Sequence, residues 1–192
     1  MAKGLSAESI TVAAAELIEQ YGRSGFSMRL LADTMGVKTA SLYNHIENMD
    51  TLLTEVCRYA LRMQEDGELR AIAGKTGREA VWTLAWAYRR FAQQHRELYW
   101  LVMDTAAGEP RVLDDAAARF TEPLKQALSG FRLPPREEIH FRRMFRAIVH
   151  GFASQEDEGF FSHYPASTEL SFEFAIQRFI DCVLEAEKRN PS

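Results

Sequence analysis

The chain has 192 residues, of which 46% are hydrophobic and 26% charged, and its formal net charge is −4. That length suits one large domain or a small domain joined to a larger one, and the apolar content is enough for a buried core. We expect no membrane span and no secretory signal, because no apolar run of the needed length occurs and the N-terminal MAKGLSAESI is polar. Cys57 and Cys182 both fall in helical patterns, which favours two reduced thiols in a cytoplasmic protein.

The first predicted element is an amphipathic helix that begins after the N-cap Ser6 and stops at Gly22. Its apolar positions recur at helical spacing. They are Ile10, Ala13, Ala14, Leu17, Ile18 and Tyr21.

Two shorter helices follow. The second helix begins after Ser27 and ends at Gly36, and its apolar residues again keep helical spacing. The third runs through Ala40, Leu42 and Ile46. A short helix, a glycine-containing turn and another short helix predict a helix-turn-helix.

The rest of the chain is also helical in pattern. Asn48 is the predicted N-cap of a longer helix from Met49, and further helices are expected around 81–92, 97–104, up to Gly130, from Pro135 and after Ser167. We predict an all-α protein of about nine helices with no strand. The domains are a helix-turn-helix domain over residues 1–48 and a larger helical domain over 49–192.

The third helix carries the chemistry expected of a DNA-reading element. Its outer face offers Lys38, Thr39, Ala40, Ser41, Tyr43 and Asn44. Short hydroxyl, amide and methyl groups reach base edges in the major groove, and a tyrosine hydroxyl reaches a phosphate. Leu42 and Ile46 are expected to face inward. Opposing this reading, residues 1–48 hold four basic residues, among them Lys3 and Arg23, against five acidic ones.

The segment GFSMRLLADTMGVKTASLYNHIENMDTLL resembles the DNA-binding head of the tetracycline-repressor (TetR) family over residues 6–58. The resemblance implies a two-fold dimer on a pseudo-palindromic operator, released when a small molecule binds the C-terminal domain. It assigns phosphate contacts to Tyr43 and His45. The residues predicted to contact DNA are Ser27, Met28, Arg29, Lys38, Thr39, Ala40, Ser41, Tyr43, Asn44 and His45. Met49 stands where the family often has a lysine.

The segment FRAIVHGF, residues 145–152, resembles the Trp-His-Gly segment of one TetR subgroup, with Val149 in place of the tryptophan. This implies a helical effector-binding and dimerisation domain. The predicted pocket residues are Trp82, Trp86, Phe91, Tyr99, Met103, Phe120, Phe141, Met144, Phe145 and Phe152. Side chains of these types at helical spacing serve equally as core, so that alternative stays open. Few basic groups lie in the apolar stripes, which favours a largely apolar effector.

The last helix has two apolar stripes, so one side is expected to cover the chain's own core and the other a partner. In the family, the last two helices pair across the two-fold axis. We assign the dimer interface to Phe172, Ala175, Ile176, Phe179, Ile180 and Val183, and leave Leu170 and Phe174 as the second stripe.

Two other classes remain as alternatives. Glu137 and His140 form one Glu-x-x-His motif, but a carboxylate-bridged metal bundle needs a second copy, which the sequence lacks. A helical protein-interaction adaptor would explain the apolar last helix but not the ordered motif from Ser27 to Leu53. We therefore expect a repressor without enzymatic activity or cofactor, whose partners are double-stranded operator DNA, a small-molecule effector and a second copy of itself.

Overall fold

The computed structural model describes residues 5–108 and 110–189. Within these ranges the chain forms nine α-helices, one short 3-10 helix and no strand, which confirms the predicted fold class. The helices are α1 Ala7–Gly25, α2 Met28–Met35, α3 Thr39–Leu42, α4 Met49–Ile72, α5 Gly77–Gln94, α6 Arg96–Gly108, α7 Pro110–Leu128, α8 Pro135–Asp157 and α9 Thr168–Arg189. The 3-10 helix, Phe160–His163, lies in the segment that the sequence predicted as a loop.

The chain divides into two compact units. The first takes in the chain up to Met63 together with His95–Arg119, and the second takes in Gln64–Gln94 and the chain from Phe120 onward. The first unit therefore contains α1 to α3, the N-terminal part of α4, and the whole of α6. The second contains α5, α8 and α9. The predicted domain boundary at residue 48 remains a prediction. The compact units do not follow it, because they group the helices differently.

The first helix forms where its sequence predicted. The Ser6 hydroxyl accepts a hydrogen bond from the backbone N–H of Ser9 at 3.1 Å, and the Ser9 hydroxyl accepts one from the backbone N–H of Ser6 at 2.9 Å. Gly22 interrupts the regular helix with φ 70° and ψ 164°, but a last turn continues to Gly25. Tyr21, expected on the buried face, is exposed and immediately precedes this break.

The second unit is built on aromatic packing between α5, α8 and α9. The ring of Phe172 meets Trp86 and Phe152 edge-on, each with centroids 5.2 Å apart. The buried Arg89 of α5 forms a two-pronged salt bridge with Glu156 of α8, with Nε donating to Oε2 at 2.9 Å. Its guanidinium also lies 5.0 Å from the Phe172 ring centroid. A buried arginine is tolerated here because its charge is paired and its planar face is stacked.

This packing buries most of the predicted dimer interface inside the single chain. Of the six assigned residues, five have no exposed surface within the single chain. These five are Phe172, Ile176, Phe179, Ile180 and Val183, and only Ala175 retains partial exposure. The sequence pattern could not distinguish the chain's own core from a partner surface here, because hydrophobicity marks a buried face without saying which surface buries it. The exposed stripe of α9 is the other one, with Leu170 64% and Phe174 66% exposed.

No helix among the described residues is both long enough and apolar enough to cross a membrane.

Candidate nucleic-acid interface and effector cavity

Local side-chain and backbone hydrogen bonds define both ends of α2. The Ser27 hydroxyl accepts a hydrogen bond from the Leu30 backbone N–H at 3.1 Å, which satisfies one of the free donors of the first turn. Gly36 ends the helix with φ 67°, and its N–H returns to the carbonyls of Ala32 and Asp33. That left-handed conformation favours glycine and lets the chain reverse within a short turn into α3.

Buried leucine and isoleucine side chains anchor the segment around α3. Leu42 is fully buried and Ile46 nearly so, while the helical hydrogen bonding continues past Leu42 through the Ile46 N–H to the Leu42 carbonyl at 3.1 Å. The predicted base-reading residues fall on the opposite side. Lys38, Ala40, Tyr43, Asn44 and His45 are exposed, and Thr39 and Ser41 are half-buried. The structure therefore brings the predicted reading face together on one short element.

The N-terminus of α2 adds a second part to this surface. Ser27 and Arg29 are exposed, and the Arg29 Nε lies 3.9 Å from an Asp33 carboxylate oxygen in a loose, solvated pair. Met28 departs from the prediction, because only 7% of it is exposed. Its side chain packs inward, so the backbone N–H at the first position of α2 is the group it can offer to an anion.

One of the acidic side chains counted in this region, Glu19, faces a histidine of its own unit. The Oε1 atom of Glu19 on α1 lies 3.3 Å from Nδ1 of His95, the residue between α5 and α6. Burial raises the pKa of the Glu19 carboxyl, and His95 opposes that rise. Glu19 is thus turned toward the interior of its unit rather than toward solvent. Lys3, one of the four basic residues, lies outside the described residues.

Asn48 caps α4 as predicted, with its Oδ1 accepting from the Thr51 N–H at 2.8 Å. Met49, the first residue of α4, is half-buried. The position where the family often has a lysine is therefore uncharged in this chain.

The second unit contains a cavity of about 140 Å³, here called the arginine-lined cavity. Its apolar walls are Leu84, Tyr88, Phe120, Leu124, Phe145 and Val149, and its polar lining is Glu68, Thr121, Arg142, Arg143 and Arg146. An apolar chamber with a few convergent polar groups is the usual form of a small-molecule site.

The charged groups of this cavity are unusually placed. Glu68 is 4% exposed and accepts a hydrogen bond from the Gln64 amide at 2.8 Å. Burial raises the pKa of its carboxyl to about 8, while the Gln64 hydrogen bond and the Arg146 charge pull the other way. The Arg146 guanidinium carbon lies 3.9 Å from the Phe120 ring centroid. At neutral pH the cavity therefore combines a mainly protonated acid with several permanent cations.

The predicted pocket residues divide between several environments. Phe120 and Phe145 line the arginine-lined cavity, and Phe152 lines a second cavity of about 250 Å³ beside Phe161 and Tyr164. Trp86 packs on Phe172, and Phe141 packs on Phe179 with ring centroids 6.0 Å apart.

Seven of the ten predicted pocket residues line neither of these two cavities, namely Trp86, Phe141 and five others. Trp82 and Phe91 are half-buried on α5, and Met144 is exposed on α8. Tyr99 and Met103 belong to the first unit, where Tyr99 is buried edge-on to Trp100. Sequence reasoning missed the polar lining, because arginines spaced three and four apart on an amphipathic helix usually mark its solvated face.

The metal-bundle alternative gains no support. In the part of the chain that the structure describes, no three His, Cys, Asp or Glu side chains come together as a ligand set. Glu137 and His140 lie in the first two turns of α8, where acidic side chains favour the helix N-terminus.

Short helices around a glycine turn, with an exposed polar face on the second, define a helix-turn-helix protein of the DNA-binding class. The model of the "Bacterial regulatory proteins, tetR family" matches residues 10–56. A model described as "Tetracyclin repressor-like, C-terminal domain" matches residues 81–179. The chain belongs to the TetR family, and it is a DNA-binding transcriptional regulator rather than an enzyme.

Individual proteins resemble the chain over almost its whole length. It is 28% identical over 183 residues to the uncharacterized HTH-type transcriptional regulator YobS of Bacillus subtilis, covering 94% of each chain. Its fold matches a protein of unknown function from Rhodococcus sp. RHA1 with a TM-score of 0.79 and 22% identity, covering 94% of this chain and 96% of that one. The Streptomyces coelicolor TetR family protein ActR in complex with (S)-DNPA matches with a TM-score of 0.67 and 19% identity, covering 96% and 100%.

Proposed function

We propose that this regulator is a dimeric repressor that leaves a pseudo-palindromic operator when a small effector with a largely apolar body binds its C-terminal domain. The proposal rests on the presence of two features in one chain. One is an exposed polar face around α3, and the other is an apolar cavity with charged side chains in the second unit. A surface for DNA and a chamber for a small molecule are the two sites that such a regulator needs.

Repression is the favoured sign of regulation. A protein that occupies a promoter blocks it without contacting polymerase, whereas activation needs a further interaction surface. The match to a repressor-like C-terminal family model supports the same direction. ActR has been solved in complex with (S)-DNPA, which supports an effector site in a protein of this fold.

The dimer is proposed to form through the exposed stripe of α9 and the neighbouring part of α8. Leu170 and Phe174 on α9 and Met144 on α8 are large apolar side chains left exposed by the single chain. A closed two-fold dimer would cover them and present two α3 faces about 34–36 Å apart, or at a longer spacing, to successive major grooves.

Specific DNA binding is tested by selecting sequences from a random duplex library with the full chain. A pseudo-palindromic sequence should be enriched and should bind two subunits. Its affinity should fall with salt at a log–log slope near about −7 if about eight phosphates are contacted. Recovery of no preferred sequence would contradict the proposal, and a slope shallower than about −2 would remove the predicted phosphate contacts.

The dimer is tested separately by analytical ultracentrifugation of Phe174→Glu. A charge in the exposed stripe should shift the protein toward monomer, because its burial in an interface would leave it unpaired. The matched control is Glu169→Lys, which changes the charge at an exposed position on another face of the same helix. Equal dimer stability for all three proteins would place the interface elsewhere.

A further inference from the structure

The arginine-lined cavity holds more positive charge than its own acidic groups neutralise. Arg142 is paired with Glu138, one turn earlier on α8. Arg143 and Arg146 have no salt-bridge partner among the described residues, and Glu68 is the one acidic residue lining the chamber. The chamber is therefore cationic on one side and apolar on the other.

Two of the arginines are placed to bind a ligand rather than only solvent. The half-buried Arg146 lies over the Phe120 ring, which fixes its guanidinium against an apolar wall. The Nε of Arg142 is a buried donor with no acceptor among the described residues. A buried donor left unpaired costs free energy, and a ligand oxygen would remove that cost.

We propose that the arginine-lined cavity binds a small carboxylic acid as its anion, with the carboxylate held by Arg146 and Arg142 and a flat or short apolar body against Phe120 and Tyr88. This rests on the proposed function, since it names the chemical class of the effector. A carboxylate matches the planar fork of arginine through two parallel hydrogen bonds. An apolar body is required because six of the lining residues are apolar or aromatic.

The size and the state of Glu68 agree with this ligand. A cavity of about 150 Å³ accommodates benzene, so one of about 140 Å³ suits a single ring or a short acyl chain. Glu68 carries little charge at neutral pH because burial raises the pKa of its carboxyl. It therefore does not repel an anion, whereas an ionised carboxylate in the same place would.

The test is isothermal titration calorimetry of the full chain without DNA. The acid probes are benzoate, phenylacetate, hexanoate and octanoate, and the uncharged and cationic counterparts are benzyl alcohol and benzylamine. At least one acid should bind saturably, and the alcohol and amine should bind roughly 10-fold or more weakly, because a charge-assisted hydrogen bond is the difference. Saturable binding by no acid up to about 10 mM, or equal binding of the alcohol or amine, would overturn the inference.

A pair of variants locates the binding. Arg146→Met keeps an apolar stem over Phe120 and should weaken the best acid by roughly 10- to 100-fold. Arg136→Met, which removes an exposed arginine of the same helix outside the cavity, should leave it unchanged. Equal affinities for wild type and a folded Arg146→Met would also overturn the assignment, and if that variant does not fold, the discrimination between acid, alcohol and amine decides alone.

Release of DNA by the acid is measured separately from binding of the acid. Acid binding in a protein that selects no DNA sequence would overturn the proposed function and leave the anion site standing. Specific DNA binding without any acid binding would do the reverse. If both occur, fluorescence anisotropy with the selected duplex should show that the best acid releases it and that Arg146→Met needs correspondingly more acid.

Discussion

The polar surface around α3 and the arginine-lined cavity differ in how far their charged side chains are exposed to solvent. Around α3 the charged and polar side chains are exposed, and the nearby pair of Arg29 and Asp33 is loose and solvated. In the cavity, Glu68 is buried and its carboxyl has a pKa of about 8. An exposed charge acts through screened, weak contacts that can be made and broken on DNA, whereas a buried charge changes the stability and the ligand preference of the whole unit.

The largest expected effect concerns Leu42, the buried side chain that anchors the segment around α3. Leu42→Ala should lower the free energy of unfolding by about 2–5 kcal/mol, because a fully buried leucine leaves a cavity beneath α3. The measurement is urea denaturation followed by circular dichroism, with anisotropy for DNA. The half-buried Leu30→Ala on α2 is the matched control and should cost roughly 1 kcal/mol. An unchanged denaturation midpoint for Leu42→Ala would show that α3 is not held by its leucine.

The next largest effect concerns the buried acid. The folded-state pKa of Glu68 is raised from 4.5 to about 8, so the folded protein keeps a proton that the unfolded chain releases. The free energy of unfolding should therefore fall as pH rises from about 4.5 to about 8 and level off above that range. Glu68→Gln should remove this decline and be more stable than wild type at pH 8 by about 2–4 kcal/mol.

Urea denaturation at about pH 5, pH 6.5 and pH 8 measures this difference. Asp66→Asn, a change of an exposed carboxyl on the same helix, is the control that should keep the wild-type decline. The other groups acting on Glu68 are Gln64, which donates to it, Arg146 from α8, and Glu65, whose negative charge adds to the rise in the pKa of Glu68. A constant stability difference between Glu68→Gln and wild type at the three pH values would show that Glu68 is ionised throughout.

The smallest expected effect tests the proposed contact between the Tyr43 hydroxyl and a DNA phosphate. Tyr43→Phe should weaken DNA binding of the dimer by about 1–2 kcal/mol, roughly 5- to 30-fold, because one hydroxyl contact to phosphate is lost in each subunit. The loss should be alike for the selected and a scrambled duplex. Tyr21→Phe is closely matched, since Tyr21 is 51% exposed and Tyr43 is 50% exposed, and it should bind DNA as wild type does. A changed sequence preference in Tyr43→Phe would assign the hydroxyl to a base instead.

Much of the helix-turn-helix could be predicted from sequence because its determinants are local. Ser27 and Asn48 cap helices by bonding to backbone groups three residues away, and Gly36 adopts the left-handed conformation that glycine favours. Such interactions form between residues that are close along the chain, so their spacing is visible in the sequence. Met28 escaped this reasoning because exposure at the first turn of a helix depends on what packs beneath it.

The last helix shows where local patterns end. Both of its stripes are apolar in sequence, and the tertiary structure alone decided that Phe172 and Phe179 meet α5 and α8 while Leu170 and Phe174 stay exposed. Hydrophobic burial has no direction, so it identifies a face but not the partner that covers it.

The amino-acid sequence was enough to predict the fold class, the caps of several helices and an exposed polar face around α3, because capping, turn conformation and helical period are set by near neighbours. The composition of the arginine-lined cavity, in contrast, follows from how distant parts of the chain pack together. Three of its lining residues come from different helices: Glu68 from α4, Phe120 from α7 and Arg146 from α8. The sequence pattern of each helix by itself does not predict that these residues line one cavity. Burial then alters the chemistry of the group itself, raising the pKa of Glu68, because the cost of desolvating a charge depends on all the surroundings at once.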